Sequence, residues 1–162
     1  MTLDRPSPNP TLPSTNDLLP AIQSNQPTTL AYILEALPST TLTNDIIQAA
    51  VSTASIPIFT LLLGYDSSII NREFEDGNTP LMIACQGRNP NFVIWLLDRD
   101  ADPKLGGEEG KGPLWQAVRT RQGEGLIGRL LEEGVGVDER VKQMAIAVGD
   151  LRVLDLLGVR WH

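Results

Sequence analysis

Apolar residues recur along most of this chain at the spacing of helices that bury one face. Ile33 and Leu34 lie three and four residues after Leu30, and Leu37 lies four and three residues after them, which is the period of one side of an α-helix. The same spacing returns in several later segments, with prolines or capping residues between them. The pattern predicts an all-α fold built from short helices.

Three Leu-Leu pairs reveal a longer period. Leu62-Leu63, Leu96-Leu97 and Leu130-Leu131 each follow the previous pair by 34 positions. A period of this size is typical of helix pairs stacked in a solenoid, in which each unit buries its apolar face against its neighbours. Such stacks usually bind proteins rather than catalyse reactions.

A motif that precedes the second Leu-Leu pair indicates which kind of solenoid this chain resembles. Residues 76–84 read DGNTPLMIA, which resembles the T-P-L-H-x-A signature of the ankyrin repeat with Met82 in place of the histidine. Residues 112–117 read GPLWQA and keep only part of the signature. The resemblance implies an ankyrin-repeat solenoid of about five stacked helix-turn-helix units.

The chain divides into a tail and one repeat domain. Residues 1–15 are rich in Pro, Ser and Thr and are predicted to be a disordered tail, because proline blocks helices and little apolar surface is present. Residues 16–162 are predicted to form the ankyrin-repeat domain. Within it we expect an N-terminal cap at 16–42, three repeats at 43–138 and a C-terminal cap at 139–162, since terminal repeats are atypical.

Capping residues and prolines predict where several helices begin. Asn16 and Thr43 are expected to cap helices, while Pro27, Pro57 and Pro80 are expected to open them. By resemblance, the Thr79 hydroxyl should bond within its turn.

The sequence also predicts the form of three connections between helices. Residues 66–76 are predicted to form a projecting loop, and one residue is inserted within 122–125 relative to the preceding unit. Asp100 stands where the family has a glycine in left-handed geometry, which aspartate tolerates better than most residues.

The net charge and its distribution indicate which class of partner to expect. The chain carries a net charge of −7, and residues 61–110 alone hold nine acids and four bases. Nucleic acid and anionic membrane both require basic surfaces, so neither is an expected partner. An acidic middle favours a protein partner with a basic segment.

Candidate chemistry is sparse. The only histidine is the terminal His162, where chains fray, and the single Cys85 is expected to be a buried thiol rather than a nucleophile. Cysteine and histidine have no spacing suited to zinc. The glycines at 106, 107 and 110 lack the Gly-Lys-Ser/Thr ending of a phosphate loop and are read as a flexible loop. No cofactor, metal or catalytic residue is predicted.

Cysteine usage and hydropathy bear on the compartment. One cysteine excludes an internal disulfide and favours a reducing environment. No basic stretch followed by an apolar run resembles a secretory signal, and no stretch approaches the roughly 20 apolar residues of a membrane span. Cytoplasm or nucleus is expected, with the free protein a monomer.

The resemblance implies a binding face on the loop tips and the exposed side of the first helices. Carried over by position, the predicted partner-binding residues are Glu73, Glu75, Asp76, Asn78, Met82, Gln86, Glu108, Glu109, Lys111, Trp115 and Arg119. Trp115 stands at the position of the family's outward histidine, as Met82 does one unit earlier. An exposed tryptophan there predicts an interaction hot spot; the alternative is that the irregular unit folds it inward.

Three functions remain open at this point. The first is an acidic adaptor or dedicated chaperone that holds a basic protein segment in a concave groove. The second is a scaffold subunit with an apolar binding face, whose acids serve only solubility. The third is a small enzyme that uses loop carboxylates such as Glu75 and Asp76, although adjacent exposed acids are more often simply solvated.

Overall fold

Ten helices make up the described part of the chain. The computed structural model describes residues 12–37, 40–107 and 111–160, and over these residues it contains helices and no strand. The helices are α1 (Leu18–Gln23), α2 (Pro27–Ala36), α3 (Asn44–Thr53), α4 (Ile56–Tyr65), α5 (Pro80–Gln86), α6 (Pro90–Leu97), α7 (Pro113–Arg119), α8 (Glu124–Glu132), α9 (Glu139–Val148) and α10 (Leu151–Leu156). The all-α prediction is confirmed.

The helices pair and stack as the repeat period predicts. The first helices of the units, α1, α3, α5, α7 and α9, pack side by side in one layer. The second helices form the other layer, where α2 packs on α4 and α8 packs on both α6 and α10. Five helix-turn-helix units therefore form the predicted solenoid.

The leucine pairs and an aromatic cluster form the centre of the core. The first leucine of each pair, at positions 62, 96 and 130, is fully buried. Phe59 of α4 meets Phe92 and Trp95 of α6 edge-on, with ring centroids 5.8 and 6.1 Å apart. Phe92 and Trp95 stack with centroids 5.8 Å apart. Trp95 is half-buried against the core, and the cluster joins the second unit to the third.

Local features of the third and fourth units follow the sequence prediction. Thr79 caps α5, and its hydroxyl accepts a hydrogen bond from the Met82 N–H at 3.4 Å. Residues 87–89 join α5 to α6, whereas residues 120–123 join α7 to α8, which places the inserted residue within 120–123, overlapping the first half of the predicted range 122–125. Asp100 has φ of 63° and so adopts the left-handed conformation.

The first helix does not begin as predicted. Asn16 was expected to cap it, but Asn16 lies inside a 3-10 turn at Thr15–Asp17 that leads into α1. The carboxylate of Asp17 reaches back to accept from the Ser14 N–H at 2.8 Å and its hydroxyl at 2.9 Å. The Asp17 N–H in turn donates to the Ser14 carbonyl at 3.0 Å, so Ser14 and Asp17 close the first turn without Asn16. Pro57 is likewise the second rather than the first residue of its helix.

The predicted projecting loop at 66–76 is wrong for most of its length. A 3-10 turn at Ser67–Asn71 places Ile69 in the core, and Phe74 is also buried. Arg72 donates to the Leu42 carbonyl at 2.7 Å and to the Asp66 carboxylate at 2.9 Å. Because both apolar side chains turn inward, this segment packs against the solenoid instead of projecting from it.

Cys85 lies at the junction between the third and fourth units. Its side chain is 0% exposed, and its carbonyl accepts from the Thr120 hydroxyl at 2.9 Å and the Gln122 amide at 2.6 Å. Burial raises the pKa of the thiol to about 12, because a thiolate is poorly solvated among apolar groups.

We predict that Cys85 of the native protein does not react with a thiol reagent such as DTNB near pH 8. At that pH an ordinary cysteine, with a pKa of about 8.5, ionises and reacts readily. The measurement compares the reaction rate in buffer with the rate in guanidinium chloride. Rapid reaction of the folded protein would contradict the assigned burial.

Candidate functional site

A hydrogen-bonded finger precedes α5. We define the acidic finger as residues 73–78. The Phe74 N–H donates to the Asn78 carbonyl and the Gly77 N–H donates to the Phe74 carbonyl, both at 2.9 Å. Phe74 is buried and anchors the finger, while the side chains of Glu73 and Glu75 are exposed. Two carboxylates are therefore presented to solvent by a fixed backbone.

Asp76 has a different role from its two acidic neighbours. Its carboxylate accepts from the Asn78 side-chain amide at 2.7 Å and the Asn78 N–H at 3.0 Å. These bonds lower the pKa of Asp76, with the side-chain amide as the largest cause. Asp76 and Asn78 hold the finger's shape, so Glu73 and Glu75 are the better contact residues of the predicted set.

The next connection stacks directly on this finger. The Gly107 N–H donates to the Gly77 carbonyl at 3.0 Å. At Gly106, where φ is +74°, an added Cβ would stand 2.7 Å from the Met82 sulfur and 2.8 Å from Thr79 Cγ2. The glycine pair was predicted to be a flexible loop, but it is a close backbone contact that only glycine permits.

This contact also corrects the prediction for Met82. The residue was expected on the exposed binding face, yet it is only 2% exposed. The connection that carries Gly106 passes over it, because the fourth unit begins with a long loop between α6 and α7. Met82 is therefore part of the packing between units.

Trp115 occupies the same position one unit later and remains half-buried. The connection from α8 to α9 spans only residues 133–138, whereas the connection from α6 to α7 spans residues 98–112. The shorter segment leaves part of the indole uncovered. Trp115 packs against the core with one part and faces solvent with the rest, so neither sequence interpretation holds in full.

Arg119 completes the surroundings of the indole. Its guanidinium carbon stands 5.4 Å from the centre of the Trp115 ring, within reach of a cation–π contact. The Gln116 side-chain carbonyl accepts from Arg119 at 2.9 and 3.1 Å and fixes the guanidinium. A cation is thereby positioned at the ring.

Two clefts flank Trp115. One, of about 300 Å³, lies between the 103–107 segment and the 135–138 connection. The other, of about 330 Å³, lies between α7 and α9, and we call it the Trp115 cleft. Its lining residues are Lys111, Trp115, Arg140, Gln143, Met144 and Ala147. The indole forms a wall of both.

The remaining predicted residues fall into two groups. Gln86 is exposed at the end of α5, and Lys111 and Arg119 are exposed near the indole. Glu108 and Glu109 lie outside the described residues. The α9 side of the Trp115 cleft was missed, because residues 139–162 were interpreted only as a cap. Residues 140, 143, 144 and 147 have the spacing of one face of a helix, and this pattern in the sequence could have identified the α9 side of the cleft.

Metal-binding clusters and membrane-spanning helices are both absent from the described residues. Among them, no group of three or more His, Cys, Asp and Glu side chains could hold a metal ion. Over the same ranges, no helix is long and apolar enough to cross a bilayer.

The fold is a helical-repeat solenoid of stacked helix pairs, in which the acidic finger of one unit is hydrogen-bonded to the connection that leads into the next. A family model described as ankyrin repeats (3 copies) matches residues 46–141, and the chain belongs to the ankyrin-repeat family. Ankyrin repeats are protein–protein interaction modules and are typically non-catalytic.

Proposed function

We propose that this protein is a non-catalytic adaptor or dedicated chaperone that holds a basic segment of a partner protein on the face formed by the first helices and fingers. The observation that carries the proposal is the fixed presentation of Glu73 and Glu75 in one unit together with a partly uncovered Trp115 in the next unit. Cytoplasm or nucleus is the proposed compartment, and the free protein is proposed to be a monomer.

The two parts of the face support different steps of binding. Exposed carboxylates attract a basic partner during encounter, which mainly raises the association rate and weakens with salt over about 8–10 Å. A large aromatic side chain at the edge of a cleft slows dissociation of the complex, because aromatic residues buried in an interface contribute much of its binding energy. The exposed carboxylates should therefore affect the association rate constant, and the Trp115 indole should affect the dissociation rate constant.

The test uses the native partner, captured from the source organism and purified. At low salt, the Glu73→Gln/Glu75→Gln variant should associate about threefold or more slowly than the parent. Trp115→Ala should dissociate about thirtyfold faster, as expected when a hot spot of about 2 kcal/mol is removed. Both rates are measured by surface plasmon resonance at low and high salt.

The matched control is Glu35→Gln/Glu132→Gln, which removes the same charge from exposed positions on α2 and α8. It should bind like the parent. If the affinity does not depend on salt concentration and only Trp115→Ala weakens binding, the chain is instead a scaffold with an apolar binding face. If both site variants bind like the parent, this face does not contact the partner.

A further inference from the structure

The fifth unit leaves one side of its helix pair uncovered by the rest of the described chain. Helix α9 packs on α7 and α10, while α10 packs on α8 and α9. We define the end face as the side of α9 and α10 that points away from the fourth unit. Ile146 of α9 is 56% exposed and Leu151 of α10 is 53% exposed.

Helical spacing places both of these apolar side chains on the end face. Residues 140, 143, 144 and 147 of α9 line the cleft toward α7, so Lys142 lies on the opposite side of the helix and Ile146 follows it by four residues. On α10, the Arg152 guanidinium reaches the Glu124 carboxylate of α8 at 3.4 Å. Leu151 therefore lies on the side of α10 that is further from α8.

The two helices carry the same pattern in opposite directions. Lys142 and Ile146 are four residues apart on α9, and Leu151 and Asp155 are four residues apart on α10, which is about 6 Å along each helix. Residues 149–150 join the helices, and so short a connection makes them antiparallel neighbours. The apolar residues consequently lie near the turn, and the lysine and the aspartate lie farther from it.

A face with this pattern is complementary to a second copy of itself. A two-fold axis parallel to the helices brings α9 of one copy against α10 of the other, and each contact then forms twice. Ile146 meets Leu151 of the second copy, and Lys142 meets Asp155 of the second copy. Both the apolar contact and the opposite charges therefore match at the same register.

Lys142 and Asp155 are available for this contact. Among the described residues, neither side chain forms a hydrogen bond or an ion pair. Residues 139–160 hold three acids and four bases, so the fifth unit is nearly neutral although the chain carries a net charge of −7. The acidic finger leads into α5, two helix spacings of about 8–10 Å from α9, and repulsion over that distance is largely screened at physiological salt.

We propose that the end face binds a second copy of this chain in a weak isologous dimer, with Ile146 against Leu151 and Lys142 paired with Asp155 across the two-fold axis. Two helices of this length offer roughly 300 Å², below the approximately 800 Å² per partner of a stable complex. We therefore expect a Kd of about 0.1–1 mM. Dilute protein is then the monomer proposed above, and the inference goes beyond the proposed function because the dimer joins two first-helix faces.

Sedimentation equilibrium of the full-length protein, from about 20 µM to about 1 mM, tests the apolar contact. The average mass of the parent should rise toward that of a dimer. Ile146→Gln/Leu151→Gln should remain a monomer throughout. The matched control is Leu156→Gln, which changes a leucine that is 43% exposed and lies four residues after Arg152, on the α8 side of α10. It should associate like the parent, and circular dichroism checks that each variant is folded.

Exchange of charges tests the register and the symmetry. Lys142→Glu and Asp155→Lys should each weaken association about fivefold or more, because like charges then face each other in both contacts. The double variant should recover the affinity of the parent. An equimolar mixture of the two single variants should also recover it, since the mixed dimer restores both ion pairs. A contact between the end face and the opposite end of another copy gives neither recovery.

Four results would overturn the inference. The first is a constant monomer mass up to about 1 mM, and the second is parent-like association of Ile146→Gln/Leu151→Gln. The third is a mixture of the charge variants that associates no better than either variant alone. The fourth is association that appears only after removal of residues 161–162, which lie outside the described residues, because the chain would then cover its own end face. None of these experiments uses the native partner, so the proposed function is tested separately.

Discussion

Replacing Phe59 with alanine should lower the free energy of unfolding by about 3–5 kcal/mol. Phe59 is fully buried and contacts two rings of the next unit. Its removal takes away apolar contact and leaves a cavity, and edge-on aromatic pairs add about 0.5–1.5 kcal/mol beyond area. A repeat stack is stabilised by the interfaces between its units. The substitution should therefore weaken the interface between the second and third units.

Urea denaturation followed by circular dichroism measures this loss. Leu96→Ala, in the same core, should cost about 2–5 kcal/mol. Tyr32→Ala is the control, because that aromatic side chain is 57% exposed, and it should change stability by less than about 0.5 kcal/mol. A loss below about 1 kcal/mol for Phe59→Ala would mean that the assigned core is wrong.

Replacing Gly107 with alanine should cost about 2 kcal/mol or more. Its φ is +83°, and an added Cβ would stand 2.6 Å from both the Cα and the N of Gly112. A residue held in such a conformation costs about 1–3 kcal/mol, and backbone neighbours cannot give way as a flexible side chain does. The change also strains the contact with Gly77 that joins this connection to the acidic finger.

The same substitution elsewhere provides the control. Gly125 lies inside α8, and an added Cβ meets nothing within 4 Å. Gly125→Ala should be neutral or stabilise by up to about 1 kcal/mol, since alanine favours helices over glycine. Equal midpoints of denaturation for the two variants would contradict the close contact at Gly107.

Much of the fold could be predicted because its signals are local. The helical spacing around Leu30 depends only on nearby residues, and the 34-residue interval of the leucine pairs is visible in the sequence as a simple repeat. Thr79 and Pro80 fix the start of α5 through their own geometry. Each repeat carries these signals independently of its neighbours, so the stack follows from them.

The candidate site was harder to predict because exposure depends on the next unit. Met82 and Trp115 hold equivalent positions, yet only Met82 is covered, since the connection from α6 to α7 is long and the connection from α8 to α9 is short. The partnership of Asp76 with Asn78 is a detail of finger geometry. Arg140 and Met144 were missed because they belong to the unit interpreted as a cap.

The central claim is that a partner segment lies on the first-helix face, across the acidic finger and the Trp115 cleft. Hydrogen–deuterium exchange of the full-length protein, with and without its captured native partner, tests this most directly. Binding should slow exchange at residues 73–79, 111–119 and 139–147, while the outer helices α6 and α8 change little. Protection confined to α6 and α8, with the finger and the cleft exchanging as in the free protein, would contradict the claim.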